Sequence, residues 1–161
     1  MQNTQRLLYL AGFVFIALIL TFAVYLEQHD TLYACPLCVT QRIVMCVLAF
    51  IFLFGAIIRF KKIGQLIIGW LALLFSASGI ALAGRHVFIQ HYPTGNGDCA
   101  MGLFYLFKIM PMIDVIKTVY AGGVECAKVS WTFLNISLAG WSLVCFIFFF
   151  LFSIFQLTRA S

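Results

Sequence analysis

Charge is what this sequence has least of. Only 9% of its 161 residues are Asp, Glu, Lys or Arg, against 64% hydrophobic and 17% aromatic. A water-soluble domain of this size needs far more polar surface, so a soluble fold is excluded and an integral membrane protein is implied. A dense basic patch is also missing. The net charge of +5 comes from scattered Lys and Arg, which argues against nucleic acid as a partner and for a role in membrane topology. Internal repeats and low-complexity linkers are absent as well, so one domain over residues 1–161 is expected.

What the chain does have is long apolar runs. Crossing a bilayer takes about 20 apolar residues at 1.5 Å each. Four segments qualify, at about 7–26, 39–58, 66–83 and 138–157. The second is anchored by the run Ile43–Ile58 and takes in Val39 and Thr40 at its start. Backbone groups in hydrocarbon must be satisfied within the segment, so these are helices. The expected fold is an all-α membrane protein, a four-transmembrane-helix bundle. Gly69, Ser76, Ser78 and Gly79 would let the third helix pack closely on its neighbours. The first run is longer than the core of a cleaved secretory signal, and Leu32 stands where a cleavage site wants a small residue. A retained helix is therefore expected.

Orientation follows from short basic segments. Arg6 precedes the first span, Arg59, Lys61 and Lys62 join the second to the third, and Arg159 follows the fourth. With four spans these all fall on one side, which the positive-inside rule makes the cytoplasm. Both termini are then cytoplasmic. Two loops, about 27–38 and 84–137, face the other side and carry Cys35 with Cys38 and Cys99 with Cys126. Paired cysteines suit an oxidising compartment.

The second loop contains "LFYLFKIMPMIDVIKTVYAG", in which Ile113, Ile116 and Tyr120 recur at helical spacing. Lys108, Pro111, Asp114 and Lys117 make a fifth span costly. A short helix on the membrane surface is expected instead. Gly95, Gly97, Gly122 and Gly123 flank the loop's cysteines and would permit motion between them.

Six cysteines remain to be explained. Cys46 and Cys145 lie inside apolar runs, where a free thiol behaves as a small hydrophobe, and are assigned to packing. The other four could staple, bind metal or carry electrons. A Cys99–Cys126 staple would contribute ~3–4 kcal/mol in the loop-entropy model, but a bridge between Cys35 and Cys38 restrains almost nothing. Zinc needs four ligands. His29, His86 or His91 could supplement the Cys35–Cys38 pair, yet no second closely spaced pair completes a zinc ribbon. The redox reading accounts best for "YACPLCVTQR". Pro36 suits the first turn of a helix, which places Cys38 near the positive helix end, where a thiolate is favoured. Arg42, four residues on, shares that helix face.

With "CPLCVTQR" in the first loop, "HVFIQHYP" after the third span and "DC…ECA…SWTFL" in the second loop, nearly the whole chain resembles the DsbB family of bacterial inner-membrane disulfide-bond formation proteins. The resemblance implies a quinone-dependent enzyme that reoxidises a periplasmic thiol oxidase resembling DsbA and delivers the electrons to ubiquinone or menaquinone in the lipid bilayer. It implies that Cys99 receives the partner's thiolate, that Cys126 resolves the mixed disulfide or attacks Cys35, and that Cys38 faces the quinone. It implies Arg42 and His86 as quinone neighbours. The family commonly has an acidic residue before the arginine, where this chain has Gln41. Two alternatives are weaker. The vitamin K epoxide reductase family also joins four helices, thiols and a quinone, but with its cysteine pairs in the reverse order. The second alternative is a non-enzymatic membrane scaffold, disulfide-stapled or zinc-binding.

Overall fold

The computed structural model describes residues 2–29, 35–58, 62–92, 107–122, 124–127 and 132–160. Cys99, Arg59, Lys61, Gly95, Gly97 and Gly123 lie outside them. Four long helices carry the structure: α1 (Gln2–His29), α2 (Pro36–Ile57), α3 (Lys62–His91) and α6 (Leu138–Ala160). Each is long and apolar enough to cross a membrane. Two short helices, α4 (Met112–Ala121) and α5 (Val124–Ala127), and a hairpin of β1 (Thr132–Phe133) and β2 (Ile136–Ser137) lie between α3 and α6. The all-α, four-spanning architecture expected from hydropathy is the one observed.

The helices are longer than their apolar runs. The first continues to His29 and the third to His91, so Glu27, Arg85 and His86 belong to helices and not to loops. The physical reason is simple. A charged side chain ends a stretch that hydrocarbon tolerates, but it leaves the i→i−4 backbone bonds that hold the helix intact. Segments 27–29, 36–38 and 84–91, expected in loops, are helical.

α1 packs on α2, α2 on α3, and α3 on α6. Their shared core buries Ile16, Leu48, Phe52, Ala83, Phe146 and Phe149 completely. Phe52 sits at its centre, with ring centroids 5.7 Å from Phe149 and 5.8 Å from Phe152, a spacing at which aromatic edges and faces attract. Small residues let α3 and α6 close up. A Cβ on Gly79 would lie 2.2 Å from the Phe146 ring, and one on Gly69 would lie 2.7 Å from Leu157. Ser76 is fully buried and satisfies its hydroxyl on Ala72 O at 2.7 Å. Ser78, expected at the same interface, is exposed and bonds Phe75 O. Apolar side chains such as Leu18, Phe54, Trp70 and Leu74 point outward, as a lipid-facing surface requires.

At the end of the bundle remote from Cys35, Arg6 Nε and Nη2 donate to the carbonyls of Ala56 and Ile57 at 2.9 and 3.2 Å. The guanidinium thereby satisfies acceptors that the end of α2 leaves unpaired. At the cysteine end, Ser137 Oγ accepts from Gly140 N at 3.2 Å and donates to Gln90 Oε1 at 2.6 Å. This caps α6 and ties its start to α3. Trp141 Nε1 donates to Phe133 O at 3.2 Å, fastening the hairpin to α6.

A short helix, α4, occupies this segment, and its two sides differ. Val115 and Val119 are buried against Leu37 and Ile89, while Ile113, Ile116 and Tyr120 point outward. Gly122, expected to permit motion, serves a fixed turn. It ends α4 at φ 72°, and a Cβ there would meet Ile89 Cδ1 at 2.5 Å, so only glycine fits.

Candidate redox site

Cys35 is the N-cap of α2. Its backbone is extended (φ −64°, ψ 158°), and Pro36 follows at the first helical position, where a missing N–H costs nothing. The Cys35 sulfur takes the acceptor role that Ser or Asp has in an ordinary cap: Cys38 N donates to it at 3.3 Å. One helical turn therefore brings the two sulfurs to 3.0 Å, about 1 Å longer than a disulfide bond. Closing that bond needs only a small side-chain rotation.

Cys126, on α5, joins them. Cys35 and Cys126 are buried with Leu37, Ile89, Val115 and Val119 in a cluster roofed by α4. Hydrogen bonding to Cys126, hydrogen bonding to Cys38 and burial, in that order, push the Cys35 thiol far above its ordinary range. A thiol so raised stays protonated, and hence unreactive, at neutral pH. In the reduced chain a small alkylating reagent at pH 7 is expected to modify Cys38, which is partly exposed, well before Cys35, which is 5% exposed. Peptide mapping after a short pulse reads the order. Equal labelling at both positions would contradict it.

His86, from α3, completes the group. Its Nε2 lies 3.8 Å from Cys35 Sγ and its Nδ1 lies 3.2 Å from the Gln41 side-chain amide. Both Gln41 and His86 are buried. The Cys35, Cys38 and His86 donor atoms all lie within 4.8 Å of one another, a spread that a metal ion can bridge. Among these residues, Gln41 stands out in the sequence only as a departure from a family pattern. Its contact with His86 depends on how α2 and α3 are rotated, which spacing along the chain does not reveal.

On the other side of Cys38 a cavity of about 710 Å³ opens between α1, α2, α6 and the hairpin. Its walls are almost wholly apolar, including Phe15, Phe22, Trp141 and Phe148, and its polar edge is formed by Cys38, Gln41, Arg42 and Ser142. That volume and that lining are typical of a site for a hydrophobic small molecule. Arg42 is held there by an ion pair with Glu27 and by Nη2 donating to Ala23 O at 3.4 Å, both on α1. The apolar-run boundary places Glu27 in a loop; the continuation of α1 is what delivers it to Arg42. His86 does not line the cavity. It stands behind the cysteine pair, on Cys35 and Gln41.

The remaining cysteines differ from each other. Cys145 packs against the core and also lines the cavity, whereas Cys46 faces outward and is not packed inside the bundle. Cys99 lies outside the described residues.

The family model described as "Disulfide bond formation protein DsbB" matches residues 5–156. Disulfide bond formation protein B of Methylococcus capsulatus is 37% identical, with 98% of this chain and 97% of that protein aligned. The protein of the same description from Nitrosococcus oceani is 32% identical over 100% of this chain and 96% of its own length. That from Stutzerimonas stutzeri is 36% identical over 97% and 96%. No solved structure matches the chain.

Proposed function

Because the chain belongs to the DsbB family of disulfide bond formation proteins, and is therefore a disulfide-forming oxidoreductase that crosses a bacterial membrane several times, we propose that it is a protein-dithiol:quinone oxidoreductase. Its electron donor is a DsbA-like periplasmic thiol oxidase, and its acceptor is ubiquinone or menaquinone. One observation carries this reading. Cys38 stands at a junction, 3.0 Å from Cys35 on one side and on the wall of a large apolar cavity on the other.

The exchange begins when the partner's thiolate attacks Cys99 of a Cys99–Cys126 disulfide and frees Cys126. The partner's second thiol then closes the partner's disulfide and frees Cys99. Cys126 next attacks Cys35 of a Cys35–Cys38 disulfide, and Cys38 leaves as a thiolate. Attack by Cys99 on Cys126 restores the first pair and leaves Cys35 reduced. Each step exchanges one S–S bond for another, and the net result moves two electrons from the partner to Cys35 and Cys38. The burial of Cys126 in one cluster with Cys35 supports the attack of Cys126 on Cys35. The helix dipole at the start of α2 and the Arg42 guanidinium favour negative charge on Cys38 as the leaving group.

The cavity fits a quinone ring: apolar walls for the ring and its tail, and a guanidinium at the polar edge for a ring oxygen. A quinone bound there supplies an acceptor for two electrons and two protons. Cys38 presents its sulfur to that space, Arg42 orients and polarises, and Glu27 holds Arg42 in place. The cysteine end of the bundle is then periplasmic and both termini are cytoplasmic. Arg6 and Arg159, at the opposite helix ends, support that orientation.

The quinone reading is tested by steady-state turnover of a reduced partner with a soluble quinone analogue under anaerobic conditions. Arg42→Ala is expected to raise the apparent KM for the analogue about 10-fold, equivalent to ~1.4 kcal/mol. Glu27→Gln, which keeps the guanidinium but loosens it, should have a smaller effect in the same direction. An unchanged quinone dependence in Arg42→Ala would remove Arg42 from the site.

A further inference from the structure

The donor atoms around Cys35 do more than the relay requires. Thiol–disulfide exchange needs sulfurs in contact, but not an imidazole nitrogen 3.8 Å from the receiving sulfur on the side away from the cavity. Nor does it need that imidazole to be held at its far nitrogen by a buried amide.

From this juxtaposition we propose that the reduced chain has a binding site for one thiophilic divalent cation, with Cys35, Cys38 and His86 as its protein ligands and solvent at the fourth position. The ion of choice is Zn²⁺.

The geometry is close to what tetrahedral zinc demands. With Zn–S near 2.3 Å and Zn–N near 2.0–2.1 Å, ligand sulfurs sit about 3.8 Å apart and sulfur and nitrogen about 3.6 Å apart. The observed Cys35–His86 separation of 3.8 Å already fits, and the Cys35–Cys38 separation of 3.0 Å must open slightly.

Gln41 provides the outer support that metal-bound histidines generally have, a partner for the ring nitrogen that does not bind the ion. For His86 Nε2 to coordinate, its proton must move to Nδ1, and the Gln41 amide must turn its oxygen toward it. Amide oxygen and nitrogen occupy nearly the same space, so the 3.2 Å contact serves either arrangement.

The site is gated by redox state. A disulfide sulfur has no thiolate to offer, so the ion binds the reduced chain and not the oxidised one. Binding releases the thiol protons to solvent and moves no electrons. By linkage, an ion that binds only the reduced form stabilises that form and opposes its reoxidation. The proposal requires reducible cysteines, but neither the thiol partner nor quinone.

The test uses the full-length chain in detergent, reduced and then freed of reductant, titrated with Co²⁺ as an optical probe and back-titrated with Zn²⁺. One equivalent of Co²⁺ with tetrahedral thiolate bands is expected in the reduced chain, displaced by Zn²⁺, and none in the oxidised chain. His86→Ala and Gln41→Leu should each weaken binding, by roughly 10-fold or more, as loss of a ligand or of its outer partner does. The Cys46→Ser/Cys145→Ser double variant should keep the stoichiometry. Absence of the thiolate bands in the reduced wild type overturns the proposal, and so does an equal signal in the oxidised wild type. Neither comparison depends on a variant folding. Unchanged affinity in His86→Ala, or loss of the signal in the double variant, also overturns it. A chain that binds Co²⁺ but reduces no quinone refutes the electron path alone, and a chain that does the reverse refutes the metal site alone.

Discussion

Cys38→Ser is expected to abolish quinone reduction while leaving the bundle folded. Serine is close in size to cysteine, and the side chain sits at the first turn of α2, where a hydroxyl is well tolerated. Stability should therefore change little. The chemistry changes completely. Cys38 is the sulfur that both contacts Cys35 and lines the cavity, and a hydroxyl at that position can neither close a disulfide nor leave as a stabilised anion. Without a Cys35–Cys38 disulfide, Cys126 has no S–S bond to attack at Cys35, so electrons entering from a partner stop at the outer pair. Turnover with a quinone analogue should fall to the uncatalysed background. Cys46→Ser, which alters an outward-facing residue on the same helix, should turn over like the unmodified chain.

Cys99→Ser is expected to produce an equally complete block at the opposite end, because access to the buried sulfurs is closed. A soluble protein's thiolate must approach a disulfide along the S–S axis, yet Cys35 and Cys126 are 5% and 1% exposed beneath α4. Neither offers a bulky partner an open line of attack. In the proposed relay the entry point is instead Cys99, on the long segment between α3 and α4. Mixing reduced partner with the Cys99→Ser chain should give no partner oxidation above background. Cys35 and Cys38 should still re-form their disulfide when the chemically reduced chain is given quinone. Wild-type partner oxidation by this variant would require another entry point.

These two variants divide the site into parts that are unequally legible in the sequence. The four spans are readable because an apolar run of bilayer length is rare outside a membrane-crossing helix. The start of α2 is readable because Pro36 has a single favourable place in a helix, and that start alone brings Cys35 and Cys38 together. Helix ends are less legible. Hydropathy reports where hydrocarbon becomes intolerable, whereas the backbone of α1 and α3 keeps its hydrogen bonds through Glu27 and His86. Contacts between helices are not legible at all. The pairing of Arg42 with Glu27, and of Cys35 and Gln41 with His86, depends on how four helices are rotated against each other. Gly79 lets α3 and α6 close up on the Phe146 ring, a contact that spacing along the chain does not reveal either. Family resemblance implies His86 as a quinone neighbour; the structure adds its contacts to Cys35 and to Gln41, the latter on the cavity wall.

The decisive measurement is an anaerobic single-turnover experiment that follows partner thiols and quinone absorbance together, for the wild-type chain and for Cys38→Ser side by side. One quinone analogue should be reduced for each partner disulfide formed in the wild type, since both are two-electron couples, and none in Cys38→Ser. Quinone reduction at the wild-type rate in Cys38→Ser, or partner oxidation in the wild type without quinone reduction, would contradict the assignment of Cys38 as the electron exit.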